Sequence, residues 1–267
     1  MQSAPESASE SAAWTDQDLD ADPHRFDDKA DRVRSMFGAI AGRYDLNNRL
    51  HSFGQDQRWR RAAVRLAAVT STDDILDVAC GTGDLTEAFA RALPRSVTGL
   101  DFTPEMLDVA RVKHPRRERP AGEPTPVYLE GDATALPFDD ASFDVLSIAF
   151  GIRNVGEPAR ALAEFRRVLR PGGRLVILEF AEPRNAVLRG LNRLYTHRIM
   201  PLTASLIARD RSGAYKYLPR SVETFLDPAH LRAAIETAGF SDPRERSLTF
   251  GVCRAHVATV ASSPGHD

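Results

Sequence analysis

Asp77-Val-Ala-Cys-Gly-Thr-Gly-Asp84 limits what this chain can fold into more than any other stretch. The apolar run Ile75–Ala79 reads as a strand that passes straight into a glycine-bearing loop, and a helical pattern begins at Asp84. Glycine lacks a Cβ, so a loop built on Gly81 and Gly83 can bend sharply and come close to a ligand. The strand-then-helix alternation continues downstream. Strand 74–79 leads to helix 84–92, strand 96–101 to helix 104–113 and strand 143–150 to helix 157–169, with further strands at 127–130 and 174–180. This spacing predicts an α/β fold, a doubly wound sheet that is mostly parallel. The nearly continuous apolar sequence of 174–180 suits a strand covered on both faces. Helical segments over 29–70 precede the sheet, and a helical, irregular insertion occupies 184–226. Arg170-Pro-Gly-Gly173 reads as a helix stop and turn. Helix 228–238 and strand-like runs at 244–250 and 252–261 close the chain.

A chain of 267 residues can bury a full core as one domain with appendages. The expected domain is 29–262, flanked by tails at 1–28 and 263–267. Residues 1–28 hold eight carboxylates and one arginine with no sustained apolar pattern, which predicts a disordered acidic tail. The net charge of −2 gives no electrostatic case for binding nucleic acid. Cys80 and Cys253 are the only cysteines, too few for a disulfide framework and compatible with a reducing cytoplasm. Neither they nor the seven histidines show metal-ligand spacing, so no metal is expected. No apolar run approaches the roughly 20 residues that span a bilayer.

Asp101 ends the second strand, where a carboxylate suits the two hydroxyl donors of a ribose. A dinucleotide fingerprint would need a third glycine, and that position is Thr86. Asp84 also opens the helix, and a carboxylate there repels a pyrophosphate that would otherwise use the helix N-terminus. S-adenosylmethionine carries no phosphate and is cationic at sulfur and nitrogen. Acidic residues such as Asp77 and Asp84 around the loop suit it better. A glycine pair after a strand is often an ordinary tight turn. Here the loop, Asp101 and Asp132-Ala133 stand at the ends of successive strands, which raises an adenosyl-donor site above that reading.

The blocks Asp77–Asp84, Gly131-Asp-Ala-Thr-Ala-Leu-Pro-Phe138 and Leu169–Gly173 resemble class I S-adenosylmethionine-dependent methyltransferases. Ala39-Ile-Ala-Gly-Arg-Tyr-Asp45, Ser52-Phe-Gly54 with Trp59-Arg60, Phe150–Val155, Leu178-Glu-Phe180 and Tyr215–Leu218 with Ser221 and Phe225 resemble the ubiquinone/menaquinone biosynthesis C-methyltransferases. That resemblance runs from about Lys29 to Val260. It implies a Rossmann-like methyltransferase sheet with an antiparallel C-terminal strand. It also implies S-adenosylmethionine as methyl donor and a prenylated quinol as acceptor. Asp77, Gly81, Thr82, Gly83, Asp101, Asp132 and Ala133 would bind the donor. Thr82 would meet its methionine part, Asp101 its ribose, and Asp132-Ala133 its adenine. One departure stands out: Ala149 occupies a position where the family commonly has serine.

A quinol ring carbon becomes nucleophilic when an adjacent hydroxyl ionises, so the site must stabilise a phenolate and aim its carbon at the methyl group. Arg153 is the candidate for that task, by its charge or by positioning a water, with Asn154 orienting the hydroxyl. A structural ion pair is the plainer role for Arg153. Tyr44, Tyr195, His197, Tyr215 and Tyr217 are candidates for the acceptor pocket. Residues 184–220 hold eight Arg/Lys and one Asp among many apolar side chains. That pattern fits a peripheral contact with an anionic membrane at its inner face, and equally a substrate cover or the contact of a homodimer. A methyltransferase for another small molecule, a nicotinamide oxidoreductase and a non-catalytic subunit of a quinone-synthesis complex remain the alternatives.

Overall fold

The structure is a computed structural model and describes residues 13–20, 22–113, 119–203 and 213–262. Strands β1 (Asp74–Val78), β2 (Ser96–Asp101), β3 (Val127–Glu130), β4 (Phe143–Ala149), β5 (Leu169–Phe180), β6 (Ser241–Leu248) and β7 (Cys253–Thr259) form one sheet, ordered β3-β2-β1-β4-β5-β7-β6. The first five pair in parallel. β7 runs antiparallel to both β5 and β6, as the resemblance implied. Strand order reverses between β1 and β4, which leaves a crevice beyond their carboxyl ends where ligands of such sheets bind.

Side-chain alternation on the strands explains the two covered faces. Leu76, Val78, Leu146, Ile148, Leu175 and Ile177 point to one face. There they meet α7 (Pro158–Val168) and α10 (Pro228–Thr237) through Leu162, Phe165, Leu231 and Ile235. Ile75, Val97, Val145 and Val176 point the other way. They meet α4 (Gln55–Leu66) and α5 (Asp84–Ala90) through Trp59, Ala63, Leu85 and Phe89. Each such burial is worth about 1.5–3 kcal/mol, so the sheet is held from both sides and the crevice has a rigid floor.

Three further helices precede the sheet: α1 (Asp16–Asp20), α2 (Lys29–Ile40) and α3 (Tyr44–His51). Asn47 and Asn48 lie within α3, with Asn47 buried. The expected disordered tail is corrected for residues 13–20 and 22–28. Trp14 is 2 % exposed and stacks on Tyr217 at a centroid distance of 4.7 Å. Leu19, Val33, Met36, Ile40 and Ala214 complete that cluster. One tryptophan and one leucine supply the apolar anchor that overall acidity concealed, while Arg32 pairs with Asp18 at 3.1 Å and Asp28 at 2.9 Å. Residues 1–12 and 263–267 lie outside the described residues.

After α6 (Pro104–Lys113), helix α7 stops at Val168 as expected, and Arg170–Gly173 is taken up into the irregular start of β5. Phe143 pairs with Leu169, and the register shifts before Val145 pairs with Arg174. The insertion comprises α8 (Ala186–Leu194), a π-helical turn at Tyr195–Ile199 and α9 (Ala214–Thr224); 204–212 lie outside the described residues.

Candidate active site

A cavity of about 540 Å³ opens over the carboxyl ends of β1, β2 and β4, within the range of about 300–1,000 Å³ usual for small-molecule sites. Asp101 lies on its floor. One carboxylate oxygen accepts the Gly81 N–H at 2.7 Å and the other accepts the Thr103 N–H at 2.8 Å. Each oxygen retains a lone pair, so the group can still take the two hydroxyls of a diol. Burial raises its pKa while those backbone N–H groups oppose the rise. Phe102, Met106 and Ala133 form an apolar slot beside it. A diol acceptor next to a slot for a flat ring fits an adenosyl group.

The two loops that frame the cavity meet closely. A Cβ on Gly151 would lie 2.6 Å from that of Ala79, so only glycine allows the β4 end to approach the β1 end. Ala79 and Phe150 adopt left-handed φ of 51° and 58°. Non-glycine residues pay for that conformation, and it concentrates at functional turns. The roof comes from α2 and the turn Pro23–Arg25. There the buried Lys29 ammonium donates to the carbonyls of Arg153 and Val155 at 2.8 Å each and to His24 Nδ1 at 3.0 Å. Burial, with the neighbouring charge of Arg153, brings its pKa down to about 8. His24 Nε2 in turn donates to the Ser221 carbonyl at 3.0 Å.

A second cavity of about 300 Å³ lies beside the first, and Tyr44 and Phe150 line both. Its inner wall is aromatic. Phe150 and Phe180 lie 4.5 Å apart, and Trp59 stands 5.8 Å from Phe150 and 5.9 Å from Phe180. The Trp59 indole donates to Thr249 Oγ1 at 2.8 Å, which fixes that ring. Burial pushes the Tyr44 phenol up, opposed by its hydrogen bond with Asn48. The three arginines that line it are paired, Arg60 with Asp56 at 2.7 Å, Arg153 with Glu179 at 2.6 Å and Arg193 with Glu182 at 2.6 Å. At the rim His197 Nε2 lies 2.8 Å from Glu223. The arrangement can hold a flat aromatic acceptor edge-on to a donor in the neighbouring cavity.

Of the expected donor-binding residues, Gly81, Asp101, Asp132 and Ala133 line the first cavity. Asp77, beneath the loop, and Thr82 and Gly83, within it, do not line that cavity. Asp77 is 1 % exposed and accepts from Ser147 at 2.5 Å and Thr86 at 2.7 Å. Thr82 donates to Asp45 at 2.6 Å, and Gly83 packs under Tyr128. Asp84 is likewise engaged, by Lys113, Arg49 and Gln57. Neither Asp77 nor Asp84 therefore presents a bare carboxylate to the cavity, and the charge argument drawn from them does not describe its surface.

Arg153 reaches the second cavity, but its guanidinium also donates to the Phe150 carbonyl at 2.7 Å and Ser221 Oγ at 3.3 Å. Asn154 faces the first cavity, accepting from the Tyr217 hydroxyl at 3.0 Å and donating to the Phe150 carbonyl at 3.2 Å. Tyr44, Tyr195 and His197 line the second cavity. Tyr217 does not, being fully buried against Trp14, and the Tyr215 side chain lies outside the described residues. Trp59, Phe150, Phe180 and Lys29 escaped the sequence reading as site residues. The Trp59-Arg60 and Phe150-Gly151 pairs already quoted were the available signal for two of them. Among the described residues no group of three or more His, Cys, Asp or Glu could hold a metal ion, and no helix is long and apolar enough to cross a membrane.

Comparison with known proteins bears directly on this pair of cavities. Over 223 residues, the chain is 48 % identical to a demethylmenaquinone methyltransferase of Thermus thermophilus, covering 83 % of this chain and 98 % of that one. It is 43 % identical over 235 residues to a ubiquinone/menaquinone biosynthesis C-methyltransferase, UbiE, of Geobacter sp., covering 87 % and 97 %. Among solved structures, a SAM-dependent methyltransferase of Aquifex aeolicus aligns with TM-score 0.58 at 17 % identity, covering 84 % of this chain and 98 % of that one. The cyclase SpnF aligns with TM-score 0.62 at 17 % identity, covering 88 % and 97 %. Those two likenesses concern the fold, which hosts more than one chemistry. A profile of the ubiE/COQ5 methyltransferase family matches residues 25–260, and the chain belongs to that family.

Proposed function

We propose that this protein transfers the methyl group of S-adenosylmethionine to a ring carbon of a prenylated quinol, a demethylmenaquinol or a ubiquinone precursor of the kind its relatives are named for. The observation that carries this reading is the shared wall: Tyr44 and Phe150 separate a diol-binding cavity from an aromatic one. The bound donor supplies an electrophilic methyl on a sulfonium. The ring carbon forms the new C–C bond with its own electron pair, the C–S pair stays on sulfur, and one proton leaves the acceptor.

Residues of this chain do the rest. Asp101, Gly81, Asp132 and Ala133 fix the donor, while Asp77 beneath the loop and Thr82 and Gly83 within it hold its shape. Trp59, Phe150 and Phe180 form one aromatic wall against which the acceptor ring lies, and alignment of two reactants accounts for much of such a rate enhancement. Arg153 lines the acceptor cavity, where its charge favours the phenolate; its pairing with Glu179 holds it in place. Asn154 steadies the Phe150 carbonyl from the donor side. His197, backed by Glu223, is the rim group able to accept the hydroxyl proton. Helix α8 and the turn after it form the face that meets the membrane where a prenylated acceptor resides.

The test is direct. Purified protein, S-adenosylmethionine and a reduced short-prenyl demethylmenaquinone should give a product heavier by one methylene group in mass spectrometry. Donor binding without any such product would reject the acceptor, and absence of donor binding would reject the whole reading.

A further inference from the structure

The mouth of the acceptor cavity carries an unusual concentration of outward-facing apolar side chains. Phe53 is 76 % exposed and Phe250 82 % exposed. They sit in two separate turns, one between α3 and α4 and one between β6 and β7. Both are held in the left-handed region, at φ 52° and 57°, and each precedes a glycine that is left-handed as well, Gly54 at 71° and Gly251 at 93°. A bulky side chain in that region is strained, and leaving an aromatic ring in water forgoes its burial. Two turns thus accept backbone strain and aromatic exposure at the same entrance.

The turns are tied to each other and to α8. Thr249 Oγ1 accepts from the Trp59 indole and donates to Gln55 Oε1 at 3.4 Å, so the 249–251 turn is fastened to the start of α4. Gly251 packs 3.5 Å from Pro183 Cα as placed by an ideal Cβ, just ahead of α8. Phe53 lies 5.6 Å from the Tyr195 ring, just after α8. Helix α8 has no buried residue among its nine. Val187, Leu191 and Leu194 fall at i, i+4 and i+7, one stripe of a helix, with exposures of 71 %, 59 % and 56 %. From Ala186 to Thr203 the sequence carries Arg189, Arg193 and Arg198 and no carboxylate, with Arg193 paired to Glu182 just ahead of the helix at 2.6 Å. An apolar stripe with arginine flanks matches a helix lying in the headgroup region of an anionic bilayer.

Resting on the proposed prenylated acceptor, we infer that Phe53, Phe250 and the Val187-Leu191-Leu194 stripe form a lipid-insertion collar that seats the acceptor cavity on an anionic bilayer. The acceptor's ring then enters the cavity while its tail stays in the acyl region, and the polar donor cavity remains on the aqueous side. Both aromatic tips act as wedges on either side of the entrance, and α8 supplies the contact area between them.

The experiment uses the full chain with vesicles of phosphatidylcholine alone or mixed with phosphatidylglycerol. The wild type should co-sediment with the anionic vesicles and far less with the neutral ones. Phe250→Ser combined with Leu191→Ser, both outside the cavity walls, should weaken that binding by about tenfold or more, since two apolar contacts are lost. The same variant should keep its melting temperature and its turnover on a water-soluble, unprenylated quinol. Equal vesicle binding by variant and wild type overturns the inference, and so does failure of the wild type to bind anionic vesicles. A wild-type dimer that the variant converts to monomer, without vesicle binding, overturns it in favour of contact between two copies. Methylation of the soluble quinol without vesicle binding removes the collar alone, whereas donor binding and vesicle binding without any methylation remove the proposed function alone.

Discussion

The two cavities share a wall and are built on opposite principles. The donor cavity rests on strand ends, over buried and partnered carboxylates: Asp101 on its floor between two backbone N–H groups, and Asp77 beneath it between two hydroxyls. The acceptor cavity is walled by aromatic rings and closed by a helix with no buried residue. Satisfied buried polar groups specify one geometry, which suits a donor of fixed shape. Apolar rings tolerate small shifts of a ligand, which suits an acceptor with a long tail. Substitutions should therefore act on binding and stability on the donor side, and on acceptor handling on the other.

Arg153→Ala, at the junction, should be the most damaging change. It leaves Glu179, 3 % exposed, as an uncompensated buried charge, at a cost of about 3–5 kcal/mol. Urea unfolding measures this, and adding Glu179→Gln should recover much of the loss. Turnover that stays low in the refolded double variant would place Arg153 in the chemistry, and restored turnover would place it in the scaffold. Next comes Asp101→Ala, which strands two N–H groups and removes the diol acceptor. Donor affinity should fall by about a hundredfold in calorimetry while acceptor binding is unchanged; a loss of both would mean the cavities are not separable.

Asp77 sharpens the comparison through pH. Burial pushes its pKa up to about 6, so the folded state favours the protonated acid. Its contribution to stability is full below the ordinary carboxylate range and is lost as pH rises through about 6, by about 2–3 kcal/mol in all. Asp77→Asn should flatten that part of the stability profile, read from urea midpoints across the interval. A profile identical to wild type would mean that Ser147 and Thr86 already stabilise the ionised form. The smallest effect belongs to Trp59→Phe on the acceptor side. Losing the hydrogen bond to Thr249 costs about 1 kcal/mol and should raise KM for the quinol with donor affinity intact.

The donor cavity was legible because its parts are local in sequence. A strand, a glycine loop and a helix write Gly81 and Asp101 as pattern, and the alternation carries the sheet order with it. What was read there from charge went astray, because Lys113 sits 29 residues from Asp84 and only folding brings them together. The aromatic wall was not legible for a related reason: Trp59, Phe150 and Phe180 come from three distant segments, each ring an ordinary apolar residue in its own run. Trp14 was hidden by composition, since one aromatic residue among carboxylates does not alter a mean. Lys29 looked like any helix-start lysine until its carbonyl partners at 153 and 155 were in place.

The roof of the donor cavity ties the beginning of the chain to a segment near its end: Trp14 lies on Tyr217 and His24 reaches Ser221. Contacts across two hundred positions form late, so a ribosome must deliver residues beyond 221 before that roof can close. A nascent chain halted after β5 would own the glycine loop and Asp101 yet lack the cover above them. Competence to hold the donor thus arrives near the end of synthesis, and trimming either terminus should cost the same function.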